Sequence, residues 1–375
     1  MPSVRAAVLN ASPVPRPYAE TRPLAIETLD LAPPGRNEVL VRIKAAGLCH
    51  SDLSVVNGAR PRPVPMALGH EAAGVVEALG EGVEDLAVGD HVVMVFVPSC
   101  GHCLPCAEGR PALCEPGAAA NGAGTLLGGA MRLSYRGEPI RHHIGVSAFA
   151  EAAVVSWNSV VRIDRDLPFE HAALFGCAVL TGVGAVVNTA DVKAGESVAV
   201  IGLGGVGLAA LLGALAAGAS QVIAVDPIAE KRQLALDLGA SDAVNPRDEG
   251  AVAAVKALTN GGVDAAVELA GSIPALDFAY RITRRGGTTV TGGLADPNER
   301  LSLQQVSLVA EERTLKGSYI GSCVPKRDIP RYVALFKAGR LPVDRLWTST
   351  GGLDDINIAL DALAEGRTIR HIVRP

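Results

Sequence analysis

Aromatic residues are few in this sequence: six Phe, five Tyr and two Trp in 375 residues. Neither sign of charge is in large excess, the formal net charge being −5. That balance gives no reason to expect nucleic acid or an anionic membrane surface as a partner. The opening segment MPSVRAAVLN has no basic stretch followed by an apolar core, so no secretory leader is expected. No internal repeat and no low-complexity tail is present. The most conspicuous lack is of charge. The whole run from Ser197 to Val225 carries none, and its length would suit a membrane-spanning helix. Six glycines interrupt this run, at 202, 204, 205, 207, 213 and 218, and the first four crowd together. No basic cluster marks one end and no aromatic belt flanks it, so the run does not read as a span. With 49% hydrophobic and 19% charged residues, disorder is excluded as well, and a soluble cytoplasmic protein is expected.

What is present falls into two styles. The first hundred residues favour short apolar strands (Val4–Leu9, Leu24–Leu29, Val39–Ile43, 74–79 and 91–97) punctuated by Pro- and Gly-rich turns such as APPG at 32–35. From about residue 190, expected strands at Ser197–Ile201, Gln221–Val225, Val263–Leu269 and Thr288–Thr291 alternate with helices near 205–217, 228–238, 250–259 and 274–284. Such alternation implies βαβ units and a parallel sheet covered on both faces. The chain is long enough for two domains.

The uncharged run contains Gly202-Leu203-Gly204-Gly205-Val206-Gly207, a G-x-G-x-x-G sequence placed between an expected strand and helix. The first glycine permits the tight turn, the second lets the backbone approach a pyrophosphate, and the last lets helix and strand pack closely. A helix N-terminus then offers free N–H groups to the phosphates. Asp226 closes the next strand, where an acid would bond an adenosine ribose hydroxyl and repel a 2′-phosphate. This favours NAD over NADP.

Seven cysteines is an odd number, and four of them cluster as Cys100-x2-Cys103-x2-Cys106-x7-Cys114. In a reducing compartment this is a metal site rather than a disulfide framework. The spacing suits a closed structural zinc site, and an iron–sulfur centre is the alternative. A second group is dispersed: Cys49-His50-Ser51-Asp52, His70-Glu71 and Cys177. Its ends lie so far apart in the chain that spacing cannot assemble it. Composition only permits two thiolates and one imidazole with an open fourth position.

GLCHSD, GHEAAGVV, the four-cysteine loop, GCAVLTGVGAV and VIGLGGVGLAAL, in this order, resemble the zinc-dependent medium-chain alcohol dehydrogenases, and the likeness runs to the closing GRTIRHIV. The full-length loop after Cys114 resembles the animal-type, formaldehyde-dehydrogenase-like branch. The resemblance implies an α/β plus β architecture. A GroES-like β-rich catalytic domain would take 1–178 and 319–375, with a structural zinc lobe at about 98–116. A Rossmann domain with a doubly wound parallel sheet would take 179–318. Two zinc ions per subunit are implied. Cys49, His70 and Cys177 would hold the catalytic one, with Glu71 behind it and Asp52 orienting His70, and the four-cysteine loop would hold the structural one. The implied reaction is reversible oxidation of alcohols by hydride transfer to NAD from an alkoxide on the catalytic zinc, with Ser51 accepting the hydroxyl proton. Thr181 and Val206 would lie against the nicotinamide, His50 and Arg370 on the pyrophosphate, and Asp226 and Lys231 on the ribose. Gly202, Gly204, Gly205 and Gly207 would form the phosphate turn.

The chain also departs from the family pattern. Ser54 stands where relatives end their proton relay in histidine, and His50 replaces an arginine, which should loosen NADH. Glutathione-dependent formaldehyde dehydrogenase is a rival reading, but Arg60 stands where an acid is expected and 115–125 contains no Arg. Polyol dehydrogenases usually place glutamate where Cys177 stands. Threonine dehydrogenases keep their third ligand elsewhere in the pattern. A non-enzymatic NAD-binding protein would not need every ligand and Ser51. Small and aliphatic residues in the expected pocket loops suggest medium-chain primary, benzylic or secondary alcohols. The LKGSYI segment, where relatives pair edge strands, suggests a homodimer, with a tetramer as the alternative. Cys323 is read as a packed thiol, and His142-His143 as shaping a loop rather than binding metal.

Overall fold

The computed structural model describes residues 3–375, in two compact units. One runs to Cys177 and adds Val324–Pro330 and Asp344–Pro375; the other is Ala178–Cys323 with Arg331–Val343. The expected return of the chain at 319 is therefore not a single crossing. Residues 319–323 and Arg331–Val343 belong to the second unit, so the chain changes units within the helix Pro325–Lys337.

The first unit is built on β-structure. A five-stranded closed barrel includes Ser3–Leu9, Leu24–Leu31 and Glu138–His142. Beside it lies a seven-stranded sheet centred on the long strand Glu38–Leu48, which pairs antiparallel with Glu71–Leu79 and Arg370–Arg374. Its core is aliphatic, with Val41, Leu48, Leu68, Val92 and Met94 almost fully buried. The pairings Gly47↔Glu71 and Leu48↔His371 bring three distant segments to one sheet end. They place Cys49, His70, Glu71 and Arg370 at neighbouring positions.

The second unit holds a six-stranded sheet in the order Asp242–Val244, Gln221–Val225, Ser197–Ile201, Val263–Glu268, Thr283–Thr291 and Thr314–Gly317. Every pairing is parallel. This is the doubly wound order, which reverses between Ser197–Ile201 and Val263–Glu268, the place where dinucleotides bind in such sheets. The uncharged run resolves into Ser197–Ile201, the helix Gly205–Ala216 and Gln221–Val225. Its strands are buried on both faces, which leaves no room for charge. Its helix is buried nearly all round. A Cβ on Gly182, in the helix Ala178–Gly184, would come within 2.2 Å of the Val206 carbonyl oxygen, so the two helices touch backbone to backbone. Among the described residues no helix is long and apolar enough to cross a membrane.

Candidate active site and metal centres

The first centre is assembled from three pieces of chain. Cys49 caps the helix His50–Val56, His70 precedes the strand Glu71–Leu79, and Cys177 precedes the helix Ala178–Gly184. The Sγ atoms of Cys49 and Cys177 and a ring nitrogen of His70 lie within 4.8 Å of one another, and all three residues are buried. His70 Nδ1 meets Asp52 Oδ1 at 3.0 Å, while its Nε2 is buried without a hydrogen-bond partner. With the proton on Nδ1, the Nε2 lone pair points into a completely buried site, where leaving it unused is costly. The two thiols are unequal. Hydrogen bonding from Cys177 pulls the Cys49 pKa well below that of a free thiol. The same partnership, reinforced by burial, pushes Cys177 well above it. A divalent cation held by all three donors would keep both sulfurs as thiolates. The donor set fits zinc, and three protein ligands leave a tetrahedral ion one further position.

Asp52 is the hub beneath this centre. It is fully buried; burial raises its pKa, but His70 and His143 outweigh that and hold it down at about 2. Its Oδ2 accepts the Cys49 N–H at 3.1 Å, tying one ligand's backbone to another ligand's ring. Glu71 and Arg370 lie behind, with 3.8 Å between Glu71 Oε1 and Arg370 Nε. Burial alone would lower the pKa of Arg370, but Glu71 and the two thiols raise it, so its charge is secure. Its Nη2 makes no hydrogen bond, which leaves a buried donor for an anion. Ser51 Oγ stands 4.0 Å from Cys49 Sγ. The Ser54 hydroxyl is engaged elsewhere, donating to the His50 carbonyl at 2.8 Å.

Two residues were missed by the sequence reading. The His70 ring is met edge to face by Phe96 and by His143, at centroid distances of 5.1 and 5.5 Å. The histidine pair at 142–143 therefore has two roles. His142 does serve the scaffold, its Nε2 accepting the Arg132 N–H at 3.0 Å. His143, expected to shape a loop, instead faces Asp52 and His70. No local signal distinguished the two: His142 closes the strand Glu138–His142, and His143 lies in the bend just after it.

The second centre is local. Cys100, Cys103, Cys106 and Cys114 bring their sulfurs within 4.8 Å of one another on a half-exposed loop. Backbone N–H groups already point at the sulfurs: Cys100 N to Cys114 Sγ at 3.1 Å, and Cys103 N to Cys100 Sγ at 3.3 Å. Burial raises the Cys100 thiol, but the N–H groups of residues 102 and 103 pull it down to about 7. Burial and the neighbouring sulfurs hold Cys106 up at about 12. Four sulfurs gathered this closely, two of them already accepting backbone N–H groups, fit a closed tetrahedral zinc site.

In the second unit the glycine turn sits at the reversal of strand order. Gly202 has φ +91° and a Cβ there would strike the backbone of Ala270, while on Gly207 it would come within 1.7 Å of the Gly202 oxygen. The protein's own packing demands both glycines. Gly204 differs, since a Cβ there would meet no protein atom within 4 Å. Only a ligand needs glycine at that position. The helix Gly205–Ala216 has no side-chain cap, so its N–H groups are available to phosphate. Asp226 Oδ2 accepts the Leu203 N–H at 2.9 Å and Oδ1 accepts the Ile228 N–H at 2.9 Å. The acid thus braces the turn and keeps spare lone pairs for a sugar hydroxyl. Val206 lies in the first turn of that helix, Thr181 in the adjoining helix Ala178–Gly184, and Lys231 in the helix Ala229–Asp237.

Comparison with known proteins agrees with this geometry. Residues 35–165 match the alcohol dehydrogenase GroES-like domain and residues 205–338 the zinc-binding dehydrogenase domain. The chain belongs to the zinc-dependent alcohol dehydrogenases. It is 38% identical to alcohol dehydrogenase class-3 of Drosophila melanogaster, over 94% of each chain. It is also 38% identical to S-(hydroxymethyl)glutathione dehydrogenase of Escherichia coli, over 95% of this chain and 98% of that one. The crystal structure of benzyl alcohol dehydrogenase from Acinetobacter calcoaceticus superposes with a TM-score of 0.93 at 33% identity, covering 100% of this chain and 99% of that one. As a member of this family the chain is an oxidoreductase whose cofactors are zinc and a nicotinamide dinucleotide.

Proposed function

We propose that this alcohol dehydrogenase oxidises primary, benzylic or secondary alcohols with NAD and reduces the corresponding aldehydes and ketones. One observation carries the reading: the buried Cys49, His70 and Cys177 donors, with His70 Nε2 unpartnered and the Phe96 ring at its edge. Zinc bound there supplies a Lewis acid that lowers the pKa of an alcohol hydroxyl. Asp52 keeps the proton on His70 Nδ1 and fixes the ring. Ser51, whose hydroxyl lies beside Cys49, would take the hydroxyl proton, and bound NAD would supply the hydride acceptor. The Ser54 hydroxyl is tied to the His50 carbonyl, and the proton would leave Ser51 by water, by a cofactor hydroxyl or by a nearby histidine. In the second unit the glycine turn would hold the pyrophosphate; in the first, Arg370 offers a buried donor suited to the same kind of anion. Thr181 and Val206 set the nicotinamide face, and Asp226 and Lys231 hold the ribose, with Asp226 selecting NAD over NADP.

A second reading, oxidation of S-(hydroxymethyl)glutathione, is favoured by the class-3 and S-(hydroxymethyl)glutathione dehydrogenase relatives. Arg60 and the arginine-free segment 115–125 weigh against it. Steady-state NADH formation with primary, secondary, benzylic and hydroxymethylglutathione substrates decides between the two. Turnover of none of them by a protein holding two zinc ions and NAD would overturn both. A homodimer in the cytoplasm is the proposed assembly. Thr314–Gly317 ends its sheet as an edge strand, near in sequence to the exposed Val306 and Val309, and light scattering gives the subunit number.

A further inference from the structure

Asp52 Oδ1 is approached by two histidines. His70 Nδ1 lies 3.0 Å away in a well-aligned hydrogen bond. His143 Nδ1 lies 3.2 Å from the same oxygen, too far off line in this ring orientation to count as a hydrogen bond, and no other atom bonds to it. Asp52 and His70 are fully buried and His143 is 2% exposed, so bulk water cannot mediate between them. His143 is also pinned: its backbone N–H donates to Ser147 Oγ at 2.9 Å, and that hydroxyl in turn donates to the Ala67 carbonyl at 2.8 Å. The approach is built into the fold. With its proton on Nε2, His143 would turn a nitrogen lone pair onto the nearby carboxylate oxygen, so the tautomer is Nδ1–H, as in His70.

We propose that His143 is a positioning residue that shares the Asp52 oxygen with His70 and thereby keeps His70 a weaker zinc ligand than an unshared carboxylate would make it. A carboxylate behind a ligating histidine raises the basicity of the ligand. A second N–H donor on the same oxygen draws off part of that electron density, so His70 gives less to the metal and the metal stays more electrophilic. His143 touches neither substrate nor cofactor in this role; it acts through Asp52.

The inference rests on zinc binding at Cys49, His70 and Cys177, and the test separates the two claims. Zinc affinity is measured by chelator competition on the full-length protein for wild type, His143→Phe, His143→Asn and His143→Gln. The four-cysteine zinc serves as an internal reference. Asn keeps an N–H donor near the Nδ1 position, whereas Gln carries its donor out to the Nε2 position and Phe has none. His143→Phe and His143→Gln are expected to hold the three-ligand zinc roughly three- to ten-fold more tightly, with His143→Asn close to wild type. With cobalt in place of zinc, the visible bands should shift in Phe and Gln and return in Asn. The Asn–Gln pair carries the comparison if Phe does not fold. Equal affinities in all four proteins, or looser binding in Phe and Gln, would overturn the sharing alone. A wild type that binds only one zinc would overturn the site and the sharing together.

Discussion

The two cysteine centres are made of similar donors in opposite ways. The four-cysteine lobe is contiguous, its sulfurs all carried by the single half-exposed loop from Cys100 to Cys114. The other centre gathers three buried ligands from segments as distant in the chain as Cys49 and Cys177. Its geometry depends on the pairings of Glu38–Leu48 with its neighbouring strands. Four ligands close a tetrahedron and leave the metal nothing to do but hold the loop, whereas three leave a position for chemistry. The lobe is therefore expected to be lost at a cost in stability, and the dispersed centre, on the proposed function, at a cost in activity.

The largest expected effect tests that division. Cys49→Ser should lower kcat/KM by about 10³-fold or more, since several kcal/mol of electrostatic stabilisation go with the metal. The four-cysteine zinc should remain, with one metal per chain by elemental analysis and little change in melting temperature. Cys103→Ser should do the reverse. It should lose the lobe metal and lower the melting temperature by roughly 10 °C, as expected for about 3–5 kcal/mol, while folded protein still turns over alcohol. If both substitutions gave the same pattern, the comparison would fail.

A smaller effect separates the ligands from what holds them. Asp52→Asn leaves all three donors in place but removes the charge behind His70, and should cost about 10- to 100-fold in zinc affinity or kcat/KM. At the lobe it is backbone N–H groups that meet the sulfurs of Cys100 and Cys114. Zinc affinity at the lobe should therefore be unmoved in Asp52→Asn, as chelator competition would show.

The same contrast explains what could be read in advance. The lobe, the glycine turn and the strands Ser197–Ile201 and Gln221–Val225 are local patterns, and the structure holds them at the expected residues. The dispersed ligands were named through family likeness, because nothing near Cys49 in the sequence points to Cys177. His143 escaped because its meaning lies in Asp52, a carboxylate far from it in the chain. The bracing role of Asp226 escaped for a related reason. An acid at a strand end suggests a sugar contact, but only coordinates reveal the Leu203 and Ile228 N–H groups on its oxygens. Arg370 was expected on pyrophosphate, and its burial against Glu71 became visible only when the last strand paired with Glu38–Leu48.

The smallest effect concerns the scaffold beside the dispersed centre. His142 ends the barrel strand Glu138–His142, fully buried, and burial with Arg132 nearby lowers its pKa to about 4. An unfolded histidine titrates near 6.5, so between these values the unfolded chain binds a proton that the folded chain refuses. The stabilisation is complete above pH 6.5 and is lost as pH falls toward 4. Between pH 7 and pH 5.5 the loss is about 1.2 kcal/mol, or roughly 2–4 °C in melting temperature. His142→Gln keeps an acceptor at the reach of Nε2 for the Arg132 N–H and cannot titrate. The wild type should therefore lose that much more than His142→Gln between pH 7 and pH 5.5. The difference of differences removes the carboxylates and thiols that titrate in both proteins. An equal loss in both would mean that His142 takes up its proton inside the folded barrel, and the division between a scaffold histidine at 142 and a site histidine at 143 would fall.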